Sequence, residues 1–315
     1  MAMVAAAASP SPIIPILKYL RNRPSRTWSI VITVFGDAVV PRGGSLWLGS
    51  LLNIFEAMEI TGGVVRTAMS RLVTDDWLQR SRVGRNSFYQ LTGHGRARYA
   101  AAAERIYGEP PAEWDGRFHL VLLNSGTDRD AARGALESSG FGSIAPGVLI
   151  APLSTPMPDE AAALMRVQGC ADLQTGRQLA ERAWTLAETA EAYRRFFHAF
   201  EPLQKWIAAS GCLADLDALV ARILLVHEYR RVVLRDPLLP PELLPAHWPG
   251  TDARQLASGI YHALLPGSER WLDQNGQGEN GPLPPPASDL QRRFGVVGGT
   301  SRTLQHRRAR VTKNL

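Results

Sequence analysis

The chain has 315 residues, long enough for two or three domains with cores of their own. Its net charge of +6 is uneven: residues 1–108 carry a net +7, residues 109–275 a net −6 and residues 276–315 a net +5, so the basic character belongs to the two ends. Two distant cysteines, Cys170 and Cys212, exclude a disulfide framework and a CxxC site, which points to a reducing cytoplasm and two small core residues.

The opening MAMVAAAASPSP has no basic start and is broken by Pro10 and Pro12, and no run approaches the ~20 apolar residues of a membrane helix, so no membrane association is expected. Residues 1–26 read as a flexible segment. A helix over 27–39 precedes a turn at Pro41, Gly43 and Gly44. A second helix, 46–58, is apolar on one side through Leu48, Leu51, Leu52 and Phe55. After a short link, Thr61 is placed to cap a third helix, in which Val65, Ala68, Met69, Leu72 and Val73 form an apolar stripe. Arg66, Thr67, Ser70 and Arg71 are left on its outer face. Strands 77–82 and 87–91 flank VGRN, where Gly84 and Asn86 suit a tight turn, and Arg80, Arg82 and Arg85 line the hairpin. Two helices joined by a short turn and followed by a basic hairpin, in that order, predict a winged helix-turn-helix over 27–108 that binds double-stranded DNA. Thr92 caps a closing helix to Tyr107, whose Arg96, Arg98 and Arg105 face either phosphates or plain solvent.

Glu109-Pro110-Pro111 punctuates the chain. Strand 117–123, helix 128–139, strand 148–151, a short helix 159–166 and a weak strand 167–173 predict a small split α/β sandwich over 109–176. GFGSIAPG precedes a strand rather than opening a helix, so it is read as a loop and not as a phosphate cradle. Residues 177–274 are helical over 179–208, 213–235 and 251–272, with RDPLLPPELLPAHWPG as an extended, packed connector. Residues 275–315, Gly/Pro-rich and then basic without apolar periodicity, read as a disordered basic tail. The fold class is α+β.

His227-Glu228 lacks the second histidine of a zinc-protease motif because Arg231 stands there, and neither a GxSxG elbow nor a carboxylate pair is present; no metal, cofactor or catalytic residue is predicted. His227, Arg230, Arg231 and Arg235 make a polar cluster on one helix, and Trp184, Tyr193 and Phe197 on another supply aromatic walls. This set reads either as a site for an anionic, partly apolar effector or as a structural network of ion pairs.

Six segments in order, ITVFGDAVVPRGGSLWLGSL, VVRTAMSRLVTDDWL, RVGRNSFYQLT, RIYGEPPAEWDGRFHLVLL, GFGSIAPGVLIAP and HEYRRVVLRDPLLPPELLPAHWPG, resemble the PaaX family of bacterial transcriptional repressors over about residues 28–272. The resemblance implies a winged helix, a central ferredoxin-like α/β domain and a C-terminal helical domain. It also implies a homodimer on a palindromic operator, released by a coenzyme A thioester such as phenylacetyl-CoA. Carried over by position, Arg66, Thr67, Ser70 and Arg71 fall on the recognition helix and Arg82 and Arg85 on the wing. Asn86 departs from a basic residue common after GR, Gly62-Gly63 replaces bulkier residues, and the basic tail has no counterpart.

The expectation is therefore a cytoplasmic, nucleoid-associated repressor of an aromatic-acid catabolic operon. Its rivals are an enzyme acting on CoA esters with an accessory winged helix, which thiol release would reveal, and a nonspecific nucleic-acid binder, which competitor DNA would reveal.

Overall fold

In the computed structural model, which describes residues 12–22, 26–123, 129–288 and 290–295, helix formation starts earlier than the sequence suggests. Within the expected flexible segment, α1 (Ile14–Asn22) forms a helix, with Ile13, Ile16 and Leu17 buried. Only residues 1–11 and 23–25 of that segment lie outside the described residues. The expected helix 27–39 is α2 (Thr27–Thr33) continued by a π-helical stretch, Val34–Val39, and a tight turn, Val40–Arg42. All six residues of the π-helical stretch are buried. Its wider turn carries Asp37 into the interior. Gly36 is required there, because a Cβ would fall 1.8 Å from the ring of Tyr99.

Leu46 and Trp47, expected to begin a helix, instead belong to β1 (Ser45–Trp47), followed by α3 (Leu48–Ala57) and α4 (Gly62–Thr74). Strands β2 (Leu78–Val83) and β3 (Asn86–Leu91) lead into α5 (Gly93–Tyr107). The three strands form an antiparallel sheet in the order β1-β3-β2. Val65, Ala68, Met69 and Leu72 of α4 are buried as the stripe predicts, but Val73 is 38% exposed, since eight residues beyond Val65 the helix has rotated roughly 80° off the stripe. Thr61 has the extended backbone of a cap but its hydroxyl makes no capping bond, whereas Thr92 accepts from the Gly95 amide at 2.9 Å. In the hairpin turn Gly84 alone takes a positive φ, +59°; Asn86 is already in β3, paired with Val83.

The second sheet contains β4 (Arg117–Leu122), β5 (Gly142–Ala145), β6 (Val148–Pro152) and β7 (Met165–Cys170), with α6 (Arg129–Ser138) after the first strand. It is antiparallel in the order β5-β6-β4-β7. Two expectations change here. GFGSIAPG is not all loop, since Gly142–Ala145 pairs with β6, and the helix expected over 159–166 is one turn, Asp159–Ala161. The last strand ends at Cys170 because Asp172 caps a new helix, α7 (Leu173–Ala183), by accepting from the Thr175 amide at 2.8 Å. Alternation along the strands gives the sheet two apolar faces. Phe118 and Ile150 pack with Ala180 of α7 on one, and Val121, Leu149 and Ala151 pack with Leu136 of α6 on the other.

The predicted helix 179–208 is two helices, α7 and α8 (Leu186–Ser210), broken at Trp184-Thr185. Two more follow, α9 (Asp215–Val233) and α10 (Pro249–Asn275). Cys170 and Cys212 are both exposed, contrary to the expected core placement; the first ends an edge strand and the second follows α8. Residues 218–229 of α9 are buried on every side, and one continuous core draws on residues 13–107 and 193–294 together.

Residues 275–288 and 290–295 of the expected tail are ordered and packed. The hairpin β8 (Gln277–Gly278) and β9 (Gly281–Pro282) lies beside β1, Ala287 donates its amide to Pro41 O at 2.8 Å, and Leu283, Leu290 and Phe294 enter the main core. Residues 296–315 of the predicted tail lie outside the described residues.

A buried polar network crosses this core. Asp37 accepts from Arg222 at 2.7 Å, Arg293 at 2.6 Å and the Tyr107 hydroxyl at 2.7 Å. Arg222 continues to Glu269 at 2.6 Å, which also accepts from Arg42 at 2.6 Å, and Arg42 reaches Asp273. Burial alone would raise the Asp37 carboxyl, but Arg222, Arg293 and Tyr107 outweigh it and hold it below the ordinary carboxylate range.

Candidate nucleic-acid interface and effector cavity

Helix α4 buries one stripe and exposes the other: Arg66, Thr67, Ser70 and Arg71 are all solvent-facing. Arg71 meets Asp75 at 3.4 Å, but both side chains are at least half exposed, so the pair is weak and Arg71 is available. Thr67 donates to the Gly63 carbonyl at 3.1 Å. At Gly63 a Cβ would meet nothing within 4 Å, so the start of α4 is bare backbone. On the adjoining hairpin Arg80, Arg82 and Arg85 are exposed, Arg80 donating to Ser87 Oγ at 2.8 Å. Of the arginines on α5, Arg98 stacks over Trp77 at 4.9 Å and Arg96 donates to Leu91 O at 3.2 Å. Arg105 leaves this face altogether, being half-buried in a cavity described below.

The seven residues expected to hold an effector do not share one site. His227 is buried with Nδ1 3.2 Å from Thr33 Oγ1, and Arg230 donates to the same hydroxyl at 2.9 Å, so both hold α9 against α2. Arg231 pairs with Glu228 at 2.9 Å, Arg235 is exposed, and Phe197 packs half-buried on the main core. Tyr193 lines the cavity, and Trp184 lines a neighbouring cleft. For His227 and Arg230 the geometry matches the structural alternative rather than ligand binding.

Burial, reinforced by Arg230 and Arg231, pushes His227 down to about 3. Because an unfolded histidine titrates near 6.5, the unfolded chain takes up a proton that the folded chain refuses as the pH falls below about 6.5, and stability drops with it. The melting temperature is expected to decline between about pH 7 and pH 5, and less steeply in His227→Gln. An equally steep decline in the variant would assign the effect to other groups.

The cavity, about 600 Å³, lies among the end of α5, α7 and the segment between α9 and α10. Tyr193, Tyr229 and Trp248 give it aromatic walls, with Tyr193 and Trp248 edge to face at 6.1 Å. Arg105 donates to Asp236 O at 2.5 Å, Arg177 to Glu242 O at 2.8 Å and Arg254 to Gly108 O at 2.6 Å. The Tyr193 hydroxyl donates to the buried Asp236 carboxylate at 2.7 Å, and burial pushes that carboxyl up against the bonds from Tyr193 and Leu238. The neighbouring cleft, about 790 Å³, shares residues 245–248 with it. Among the described residues no His, Cys, Asp and Glu group is placed to hold a metal ion, and no helix is long and apolar enough to cross a membrane.

Residues 26–95 match the family model for PaaX-like protein, and residues 184–274 match the model for the PaaX-like protein C-terminal domain. The transcriptional repressor PaaX of Escherichia coli (strain K12) is 36% identical over 285 residues, covering 85% of this chain and 89% of that one. The chain belongs to the PaaX family. A solved structure of an uncharacterized protein from Mycobacterium tuberculosis is 26% identical, covers 70% of this chain and 88% of that one, and superposes with a TM-score of 0.48. The first PaaX match contains the whole exposed face of α4 and its hairpin, while the C-terminal match contributes Tyr193, Tyr229, Trp248 and Arg254 to the cavity. Arg105 and Arg177 lie between the two matches. Sequence reasoning missed these three arginines because no spacing gathers positions so far apart. The one available signal was the proline-rich connector after α9, which walls the cavity.

Proposed function

We propose that residues 27–108 form a winged helix-turn-helix that reads operator DNA, with α4 as recognition helix and β2–β3 as wing. In this reading residues 109–176 form a ferredoxin-like domain, to which the β5-β6-β4-β7 order corresponds, and residues 177–274 a helical effector and dimerisation domain. The protein acts in the cytoplasm as a homodimeric repressor of an aromatic-acid, phenylacetate-type catabolic operon, released by an aryl-CoA thioester such as phenylacetyl-CoA. The observation that carries the DNA reading is the single exposed face of α4, where Arg66, Thr67, Ser70 and Arg71 stand beside three exposed hairpin arginines. Kinship with a chain named as a transcriptional repressor supports the direction of control.

Arginine reads guanine through paired hydrogen bonds in the major groove, whereas wing arginines meet phosphates that carry no sequence. Arg66→Ala or Arg71→Ala is therefore expected to cost about 1–3 kcal/mol of operator binding. Arg82→Ala and Arg85→Ala should weaken all DNA alike and flatten the salt dependence. Gel shifts on the chain's own upstream region and on scrambled DNA, over a salt series, check this. Undiminished operator preference in both α4 variants would remove α4 as the reader, and equal affinity of the wild type for both DNAs would favour a nonspecific binder.

A further inference from the structure

Three arginines from three parts of the chain converge on the cavity, and each bonds to the backbone of another part. Arg105 of α5 donates to Asp236 O just beyond α9, Arg254 of α10 donates back to Gly108 O just beyond α5, and Arg177 of α7 donates to Glu242 O. These acceptors are neutral, and among the described residues none of the three guanidiniums forms an ion pair, although the buried Asp236 carboxylate favours the charge on Arg105. Arg105 also has a buried Nε with no partner among the described residues, which is uncommon for a buried donor. The carboxylates of Glu104, Glu109 and Asp252 are exposed where they line the cavity, and the buried Asp236 is engaged by Tyr193 and Leu238. Beside these cations stand the rings of Tyr193, Tyr229 and Trp248, in a volume of about 600 Å³ that suits a small molecule.

We infer that this cavity is the effector site, that it takes a ligand joining a flat apolar group to an anionic part, and that the ligand acts by drawing Arg105 and Arg254 off the carbonyls they now hold. The inference rests on the proposal that an effector releases the protein from DNA. A phosphate or carboxylate oxygen is a stronger acceptor for a guanidinium than a backbone carbonyl, so an anion has a differential contact to offer. The two bonds it would compete with run in opposite directions between α5 and the helical half. Helix α5 follows β3 through the Thr92 cap, so a change in its seating reaches the hairpin and α4. Ligand binding and DNA binding are then coupled through one movable contact, as linkage requires.

Calorimetry on the full chain with phenylacetyl-CoA, free CoA and phenylacetate tests this, using Thr251→Trp to fill the exposed rim and Arg254→Gln to remove a guanidinium. The wild type is expected to bind the thioester more tightly than either fragment, and both variants to lose at least about tenfold, which is about 1.4 kcal/mol. Should Arg254→Gln fail to fold, Thr251→Trp decides alone, its thermal transition reporting that it is folded. Wild-type affinity in the folded cavity variants would overturn the site while leaving the effector reading intact. So would a loss confined to Arg231→Ala, which would place the ligand on the polar side of α9. A wild type that binds operator DNA but no thioester would overturn the effector reading and this inference together, and equal affinity for free CoA would overturn the ligand class.

Discussion

A chain ended at Asn275 is expected to melt far below the full chain or to fail to fold at all. The segment it loses buries Leu283, Leu290 and Phe294, with 6%, 2% and 7% of their surfaces exposed. At roughly 1.5–3 kcal/mol for each large apolar side chain, that burial amounts to about 5–9 kcal/mol, a large share of the total stability of a typical domain. Phe294 also meets Tyr107 at 5.1 Å and Tyr261 at 5.3 Å, and the Arg293 that would be lost leaves Asp37 with one arginine in place of two. Calorimetry on chains ended at Asn275 and at Gly295 separates the packed segment from the basic residues after it. Transitions that agree within about 2 °C would show that the packed segment contributes nothing.

How far the fold can be read in the sequence depends on whether a segment has one wet side. Helix α4 was legible because Val65, Ala68, Met69 and Leu72 face a core while arginines face water, and the hairpin was legible from its turn residues. Helix α9 was left ambiguous for the opposite reason. Its polar residues Arg222, His227 and Glu228 resemble a solvent face, yet all three are buried and meet side chains from α2, the π-helical stretch and α10 or from α9 itself. Periodicity carries no information about a helix covered on all sides. The π-helical stretch was hidden because an added residue per turn leaves no mark in local propensity. The packed tail was hidden because Leu283, Leu290 and Phe294 sit among prolines and glycines with no helical or strand period. At the candidate site, the exposed arginines of α4 and the hairpin lie on consecutive elements, and their exposure was legible as a pattern. The cavity is assembled from Arg105, Arg177 and Arg254, and only the fold brings them together.

Asp37→Ala is expected to cost roughly 3–5 kcal/mol, the range for breaking a buried ion pair from one side. The loss is large because Arg293 would lose its carboxylate and Arg222 would keep only Glu269, while the Tyr107 and Tyr261 hydroxyls would lose their acceptor. An apolar pair in the same space removes the share of that penalty due to Arg222, so the double variant Asp37→Leu, Arg222→Met is expected to be more stable than Asp37→Ala alone. The pH dependence has a definite sign. A carboxyl held below its unfolded value contributes stability that is complete above about pH 4 and is lost as the pH falls through the folded value, so this network weakens only in strong acid. Urea unfolding at about pH 7 measures the cost, and a loss under about 1 kcal/mol would show that the network does not hold the core. Asp37 precedes α3 and α4, Arg222 and Glu269 lie on α9 and α10, and Arg293 follows them all. A loss of the expected size would show that the segment before α3 is clamped to the helical half by this network, so that in the proposed mechanism the ligand has to act through the arginine contacts around the cavity.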